Sequence, residues 1–511
     1  MKERLAVTLI VLLAVGSPAA AQTWIELTTI GGPSGLDFHG FDGDSVAYDP
    51  AANRLIVFLP RSIGFANHFF PESDPTGQVW VLSHANGLGG TPTWTQLTAS
   101  GSPLPAIHSA STSIYDQTNE RLIVYGGGFF HSSPPLNGTF VLTDANGLGG
   151  TPTWSLLPAV GATCSPFGQA GSCTGANDRL QNSSVYDPIS GRMISFGGHI
   201  AFFFTAMNDT RVLTNANGLG GSPTWQTLAA SGSPPAVRAT HTSVYDEGSN
   251  RMIVFGGWDT KYPSPNLFYN DLRILDNANG VSGSPTWLPV TAPGGPSPRG
   301  SHSAVYDPIN NRMIVYGGRL DPSSGPSVFF DDVWELSDAN GLTGTPSWTP
   351  LAPSGTGPGP VAGHGAVFDA QSQRMIVFAG VPDASGIAQT RVFVLSFSQD
   401  VDIDIKPGSY PNSINPKSQG VIPVAILTTA SFDATTVDPA SVRFGPGGAA
   451  EAHGTGHIED VDGDGDNDMV LHFRTQATGI ECGATSASLT GQTLGGQPIE
   501  GIDSVRTVGC S

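Results

Sequence analysis

Lysine is nearly missing from this chain. Beyond residue 21 only Lys261, Lys406 and Lys417 occur, and residues of either charge make up 13% of the 511. Long helices draw on Lys, Glu, Leu and Ala, so the shortage argues against a helical fold. Acidic residues outnumber basic ones by 42 to 22, for a formal charge of −20. A chain so short of Lys and Arg has no patch for nucleic acid or an anionic membrane. Long apolar runs are absent after the first 21 residues, so no transmembrane segment is expected.

The one apolar run stands at the start. Lys2 and Arg4 precede residues 5–16, and Ala19, Ala20 and Ala21 come just before Gln22. That order reads as a signal peptide over residues 1–21, too short to span a bilayer. The expected location is secreted, periplasmic or cell-surface, with a monomeric chain beginning at Gln22. The four cysteines form two local pairs, Cys164 with Cys173 and Cys482 with Cys510. An even count in an oxidising compartment, with no histidine close by in sequence, predicts two disulfides.

What is abundant is Gly (66) and Pro (41), set between short β-branched runs. That composition predicts an all-β fold. The runs repeat. Six copies of a hairpin pattern keep Asp and Arg five apart: Asp49/Arg54, Asp116/Arg121, Asp187/Arg192, Asp246/Arg251, Asp307/Arg312 and Asp369/Arg374. A third strand follows each hairpin. Then come an Ala-Asn-Gly loop and a fourth strand opening at Trp94, Trp154, Trp225, Trp287 and Trp348. Four strands in roughly sixty residues make one propeller blade. The sixth repeat lacks its Trp strand, while Trp24 stands alone before the first hairpin. The N-terminal strand is therefore expected to complete the sixth blade, giving a closed six-bladed β-propeller over residues 22–398 without free sheet edges.

The repeats resemble the Kelch family. The resemblance rests on the double glycines Gly126-Gly127, Gly197-Gly198, Gly256-Gly257 and Gly317-Gly318, and on Arg238-x-x-His241 and Arg299-x-x-His302. The first and sixth repeats depart from it with Leu59-Pro60 and Ala379-Gly380. It implies the fold and leaves function open, since the scaffold hosts interaction modules and galactose-oxidase-like copper enzymes alike.

In a propeller, the loops joining strands 1–2 and 3–4 share one face. Those joining strands 2–3 and successive blades share the other. The first face keeps its motifs from blade to blade, which reads as a repeated structural need. The second varies, and carries the candidate ligand contacts Phe129, His131, Trp258 and Tyr262, together with Arg238 and Arg299. Varied aromatics on supported loops suit a glycan or a protein partner. His241, His302 and His364 occupy equivalent places in three adjacent repeats. They read either as a transition-metal set at the axis or as hydrogen-bonded framework, and the framework reading is the one carried forward.

After Ser398 the texture changes. Residues 399–511 are expected to form a small β-sandwich-like domain, which resembles a module at the ends of exported bacterial proteins. Its sharp motif is Asp460, Asp462, Asp464, Asp466 and Asp468, with Gly465 at the turn. Alternating carboxylates on a tight loop supply hard oxygen ligands, so calcium is the expected cofactor, with Asp466 lending its backbone carbonyl. Position 12 of the loop is Leu471, so the bidentate Glu of an EF-hand is missing. The loop resembles those of integrin-type propellers and dockerin-like repeats. The functional reading is an extracellular binding protein with no catalytic residue assigned. The alternatives are a secreted polysaccharide-active oxidase or lyase with its site at the axis, and a passive envelope component.

Overall fold

The computed structural model describes residues 22–33, 46–59, 77–88, 90–101, 111–127, 138–159, 179–200, 205–259, 267–322, 324–378, 380 and 390–510. The expected signal peptide lies outside them, as do Phe129, His131, Tyr262, Cys164 and Cys173. Two compact units divide the chain, Gln22–Ser396 and a second that runs from Phe397 to the C-terminus. Among the described residues there is no α-helix.

Each repeat opens with an antiparallel hairpin in which the motif Asp sits directly opposite the motif Arg, and this register holds in all six copies. The Asp carboxylate makes the turn: Asp49, Asp187, Asp246, Asp307 and Asp369 each accept the N–H two residues on, at 3.0–3.2 Å. Such an Asx turn fixes hairpin length, and with it register.

Each hairpin extends into a sheet of four strands, to which the second and fourth sheets add a short parallel strand, Ser100–Gly101 and Ser231–Gly232. The first consists of Val46–Asp49, Arg54–Leu59, Gln78–Ser83 and Thr93–Leu97. The sixth consists of Gly365–Asp369, Arg374–Phe378 and Val392–Phe397, and its fourth strand is the N-terminal Gln22–Glu26. The opening strands of successive sheets adjoin one another in a closed cycle, the sixth returning to the first.

The apolar core is divided among the gaps between sheets. Leu55, Val57 and Leu82 pack with Ile376, Phe378 and Val394, and Val124 and Phe140 pack with Ile56 and Phe58. Across all six gaps the Trp of one sheet lies against an aromatic ring on the second strand of the preceding sheet. The pairs are Trp94–Phe378, Trp154–Phe58, Trp225–Tyr125, Trp287–Phe196, Trp348–Phe255 and Trp24–Tyr316, with centroids 4.6–5.8 Å apart. Such contacts add about 0.5–1.5 kcal/mol each beyond the area they bury.

A polar clamp accompanies the rings. The Asn of each Ala-Asn-Gly loop donates its side-chain amide to the motif Asp of the preceding sheet: Asn146 to Asp49, Asn217 to Asp116, Asn279 to Asp187, Asn340 to Asp246 and Asn86 to Asp369, at 2.7–2.9 Å. The same Asn accepts at its backbone carbonyl from the motif Arg of that preceding sheet, at 2.7–2.8 Å. The sixth repeat has no such loop, and Gln373 replaces it by accepting from Arg312 and donating to Asp307.

Besides a two-strand ribbon, Ser413–Ile414 with Arg506–Thr507, the second unit holds two larger sheets over one core. Ile403–Ile405, Val421–Ile426, Asp468–Arg474 and His457–Glu459 form one. The other contains Pro498–Ser504, Ser486–Gln492 and Arg443–Phe444. Val424, Phe444, Leu471, Phe473 and Leu489 meet between them. Cys482 and Cys510 are joined as expected.

Asn86 links the first sheet to the sixth through both bonds of its clamp. Asn86→Ala should therefore destabilise the propeller by about 2 kcal/mol, because it removes a hydrogen bond to the buried Asp369 carboxylate, which keeps Tyr48 and Ser372 as donors. The readout is a lower urea midpoint at unchanged slope. An unaltered midpoint would show that this clamp does not hold the ring.

Candidate functional site

The axis of the propeller is lined by hydroxyls of the opening strands. Thr112, Ser113, Ser183, Thr242, Ser243 and Ser303 border a cavity of about 120 Å³, well below the roughly 300–1,000 Å³ of small-molecule pockets. Behind this lining stand His241, His302 and His364, each almost wholly buried. His302 Nε2 pairs with Thr242 Oγ1 at 2.8 Å and His364 Nε2 with Ser303 Oγ at 2.7 Å. Each ring lies edge-on to the aromatic of the preceding sheet, Phe196, Phe255 or Tyr316. The rings account for the first glycine of three of the double-glycine pairs. A Cβ on Gly256, at φ +66°, would sit 2.7 Å from His302 Cε1, and Gly197 and Gly317 face His241 and His364 in the same way. For His302 and His364 the geometry supports the hydrogen-bonded framework reading, while His241 packs on Phe196 with both ring nitrogens buried.

Arg238 and Arg299 require a correction. Expected as ligand contacts on the variable face, both are completely buried. Arg238 forks onto Asp271 at 2.8 and 3.1 Å, donates to the Gly256 and Ala236 carbonyls, and lies 4.4 Å over the Tyr269 ring. Arg299 does the same with Asp332, Gly317, Ser297 and Phe330. A desolvated guanidinium needs its whole donor set satisfied, and here the framework satisfies it. Arg179 is a third member that sequence reasoning passed over, its Nη2 donating to both carboxylate oxygens of Asp209 at 2.7 Å. Its signal was the spacing Arg179-x-x-Asn182, which matches Arg238-x-x-His241.

These three pairs stand at the bases of short ribbons on the strand 2–3 connections. The ribbons are Arg179–Leu180 with His199–Ile200 and Thr205–Ala206, Trp258–Asp259 with Leu267–Phe268, and Arg319–Leu320 with Val328–Phe329. Trp258 is half-buried, stacked on Phe268 at 5.9 Å and edge-on to His199. Phe268 packs inward, and Asp259 is buried too. Leu267 and Val328, at matching places on two ribbons, are each 44% exposed.

In the second unit, Asp460, Asp462 and Asp464 bring a carboxylate oxygen each to within 4.8 Å of one another. Asp460 accepts the N–H groups of Gly463 and Gly465, and Asp464 accepts that of Asp466. Asp466 is exposed, and Asp468 is buried beneath the loop, where its two oxygens accept from Thr428 and Val461. The Asp464 N–H is the strongest single influence on Asp462 and favours its charged form. Desolvation and the charges of Asp464 and Asp468 nonetheless raise its pKa above the ordinary carboxylate value. Three histidines on the same hairpin, His453, His457 and His472, also come together and were not anticipated.

Burial holds His241 and His364 down to about pKa 3, and His302 well below its ordinary value. The unfolded chain binds a proton at each near pH 6.5, whereas in the folded chain His241 and His364 stay unprotonated to about pH 3 and His302 stays unprotonated well below its ordinary value. Lowering the pH through that window therefore removes stability, by up to about 1.4 kcal/mol per unit for each ring. Thermal melts should fall steadily from pH 6.5 to 4, and His364→Asn should flatten the slope. A melting temperature constant over this range would contradict the assignment.

Residues 172–340 match the model of the KLHDC2/KLHL20/DRC7 Kelch-repeats domain. Host cell factor 1 of Homo sapiens is 32% identical over 169 residues, which is 30% of this chain and 8% of that protein. Acyl-CoA-binding domain-containing protein 5 of Arabidopsis thaliana is 25% identical over 310 residues, covering 59% of this chain and 40% of the relative. The solved structure of YjhT aligns with a TM-score of 0.45 and 13% identity over 73% of this chain and 96% of the other. The chain thus spans well under half the length of either curated relative. Its sheets, its double glycines and the family match together support a Kelch-type propeller.

Proposed function

We propose that this is an exported interaction protein whose propeller holds a protein partner on the face that carries the ribbons. The observation that carries the reading is the build of that face. Ribbons of differing sequence stand on three Arg–Asp pairs whose arginines are buried, and Leu267 and Val328 present exposed apolar side chains from matching places. Rigid bases under varied tips are how scaffolds display recognition loops. Exposed aliphatic groups favour a protein over a glycan, which would be met chiefly by aromatic faces and polar groups. The catalytic alternative would use the axial histidines with Arg238 and Arg299, and these side chains are built into the framework.

The partner is sought by crosslinking the full chain in culture medium, with a glycan array run in parallel. Leu267→Glu combined with Val328→Glu should weaken capture at least about ten-fold, the size of a 1.4 kcal/mol loss, and leave the melting temperature unchanged. Capture insensitive to both changes, or binding on the glycan array alone, would refute the reading.

The second unit, in this proposal, is stabilised by calcium at the aspartate loop. The crowded carboxylates of Asp460, Asp462 and Asp464 fit a hard cation, which would neutralise them and fix the turn. Stabilisation by a ligand at a hundred times its Kd is about 2.7 kcal/mol. Chelator should lower the melting transition of this unit, about one calcium per chain should restore it, and Asp462→Asn should abolish the response. Melting indifferent to chelator would remove calcium from the account.

A further inference from the structure

We propose that His453, His457 and His472 form a second cation site on the same hairpin, for a borderline transition metal of the zinc class. The strand pairing sets two of the ligands on one face. His457 lies opposite Val470, and His472 is two residues beyond Val470 on the same strand. Side chains two apart in a strand point the same way, so both imidazoles leave the sheet on one side. His453 is brought over them by the segment before it. Glu451 bridges to Phe473, and the Ala452 N–H donates to the His472 carbonyl at 2.8 Å. The three ring centroids are 5.2–6.4 Å apart, and one nitrogen from each ring lies within 4.8 Å of the other two.

A tetrahedral zinc ion, with Zn–N bonds of about 2.0–2.1 Å, needs donor nitrogens about 3.4 Å apart. His453 and His457 are exposed, so closing that gap takes only side-chain rotation. His472 supplies an independent sign, because its Nδ1 is buried and has no hydrogen-bond partner. A buried polar nitrogen left bare is costly, and ordering around an ion relieves the cost. Glu451 positions the set. Its carboxylate, almost fully buried, lies 3.7 Å from His453 Nδ1 and accepts the backbone N–H groups of His453, Gly454 and His472. A carboxylate that fixes a histidine is the usual support behind a metal ligand.

The donor chemistry separates the two ends of the hairpin. Imidazole nitrogens select zinc, copper or nickel, and the aspartate oxygens select calcium. Three protein ligands leave a fourth position for water or for a donor from elsewhere.

The test uses the full chain, without a histidine tag and in saturating calcium, titrated with zinc by calorimetry and with cobalt(II) by visible absorption. One zinc per chain is expected, along with the absorption bands of four-coordinate cobalt. His453→Ala and His457→Ala should each weaken binding at least about ten-fold. Asp462→Asn should still take up one zinc per chain even if the calcium reading fails, so the two sites are scored separately. The proposal is overturned if no zinc binds at about 100 µM, roughly −5.5 kcal/mol, if neither histidine variant alters uptake, or if only Asp462→Asn abolishes it.

Discussion

The propeller depends on side chains that cross from one sheet to the next. A four-stranded sheet cannot cover its own apolar faces, and each of these sheets covers them with its neighbours. The aromatic contact and the Asp–Asn–Arg clamp sit on the same pairs of sheets. They divide the work, since ring packing supplies burial and the clamp fixes angle and register. An apolar gap alone tolerates sliding, whereas a buried carboxylate must find its amide. The ring closes by the same means. Trp24 lies on Tyr316, Trp94 lies on Phe378, and Asn86 joins Asp369 to the first sheet.

This arrangement explains why the two faces differ. Both halves of the clamp come from strand 1–2 turns and strand 3–4 loops, so any change on that face strains a neighbouring sheet. On the other face the Arg–Asp pairs are anchored below the ribbons, beside the axial histidines and the double glycines. Above that level the chain is free to differ, and the sequences of the connections do differ.

The repeat itself was readable because every copy carries the same local spacing, and each Asp/Arg pair proved to be a cross-strand pair. The clamp was not readable. Asn146 and Asp49 lie 97 residues apart, so the sequence displays each half only as a local turn motif. Arg238 misled for the same reason. An Arg in a varied loop looks exposed until its partner Asp271, 33 residues further on, comes into view. Trp258, a candidate ligand contact in the sequence, is half-buried because it stacks on Phe268 across a ribbon, a partner ten residues away. The histidine cluster was hidden by the aspartate motif between its members, His453 and His457 lying before it and His472 after it.

Asp468 connects the two ends of that hairpin. It pairs with Glu459 across the ladder, and its carboxylate holds the N–H of Val461 at the root of the aspartate loop. Two residues along the same ladder, His457 faces Val470. A cation that stiffens the loop therefore fixes the strand from which His457 projects, and a cation on the histidines fixes the strand that closes the loop. Sites joined through one rigid ladder bias each other reciprocally. The strand that joins them is also exposed, His457–Glu459 having no buried side chain, so burial contributes little to its order. Ligands at its ends are the stronger constraint available to it, and the two donor sets, oxygen and nitrogen, allow both to be filled without competition.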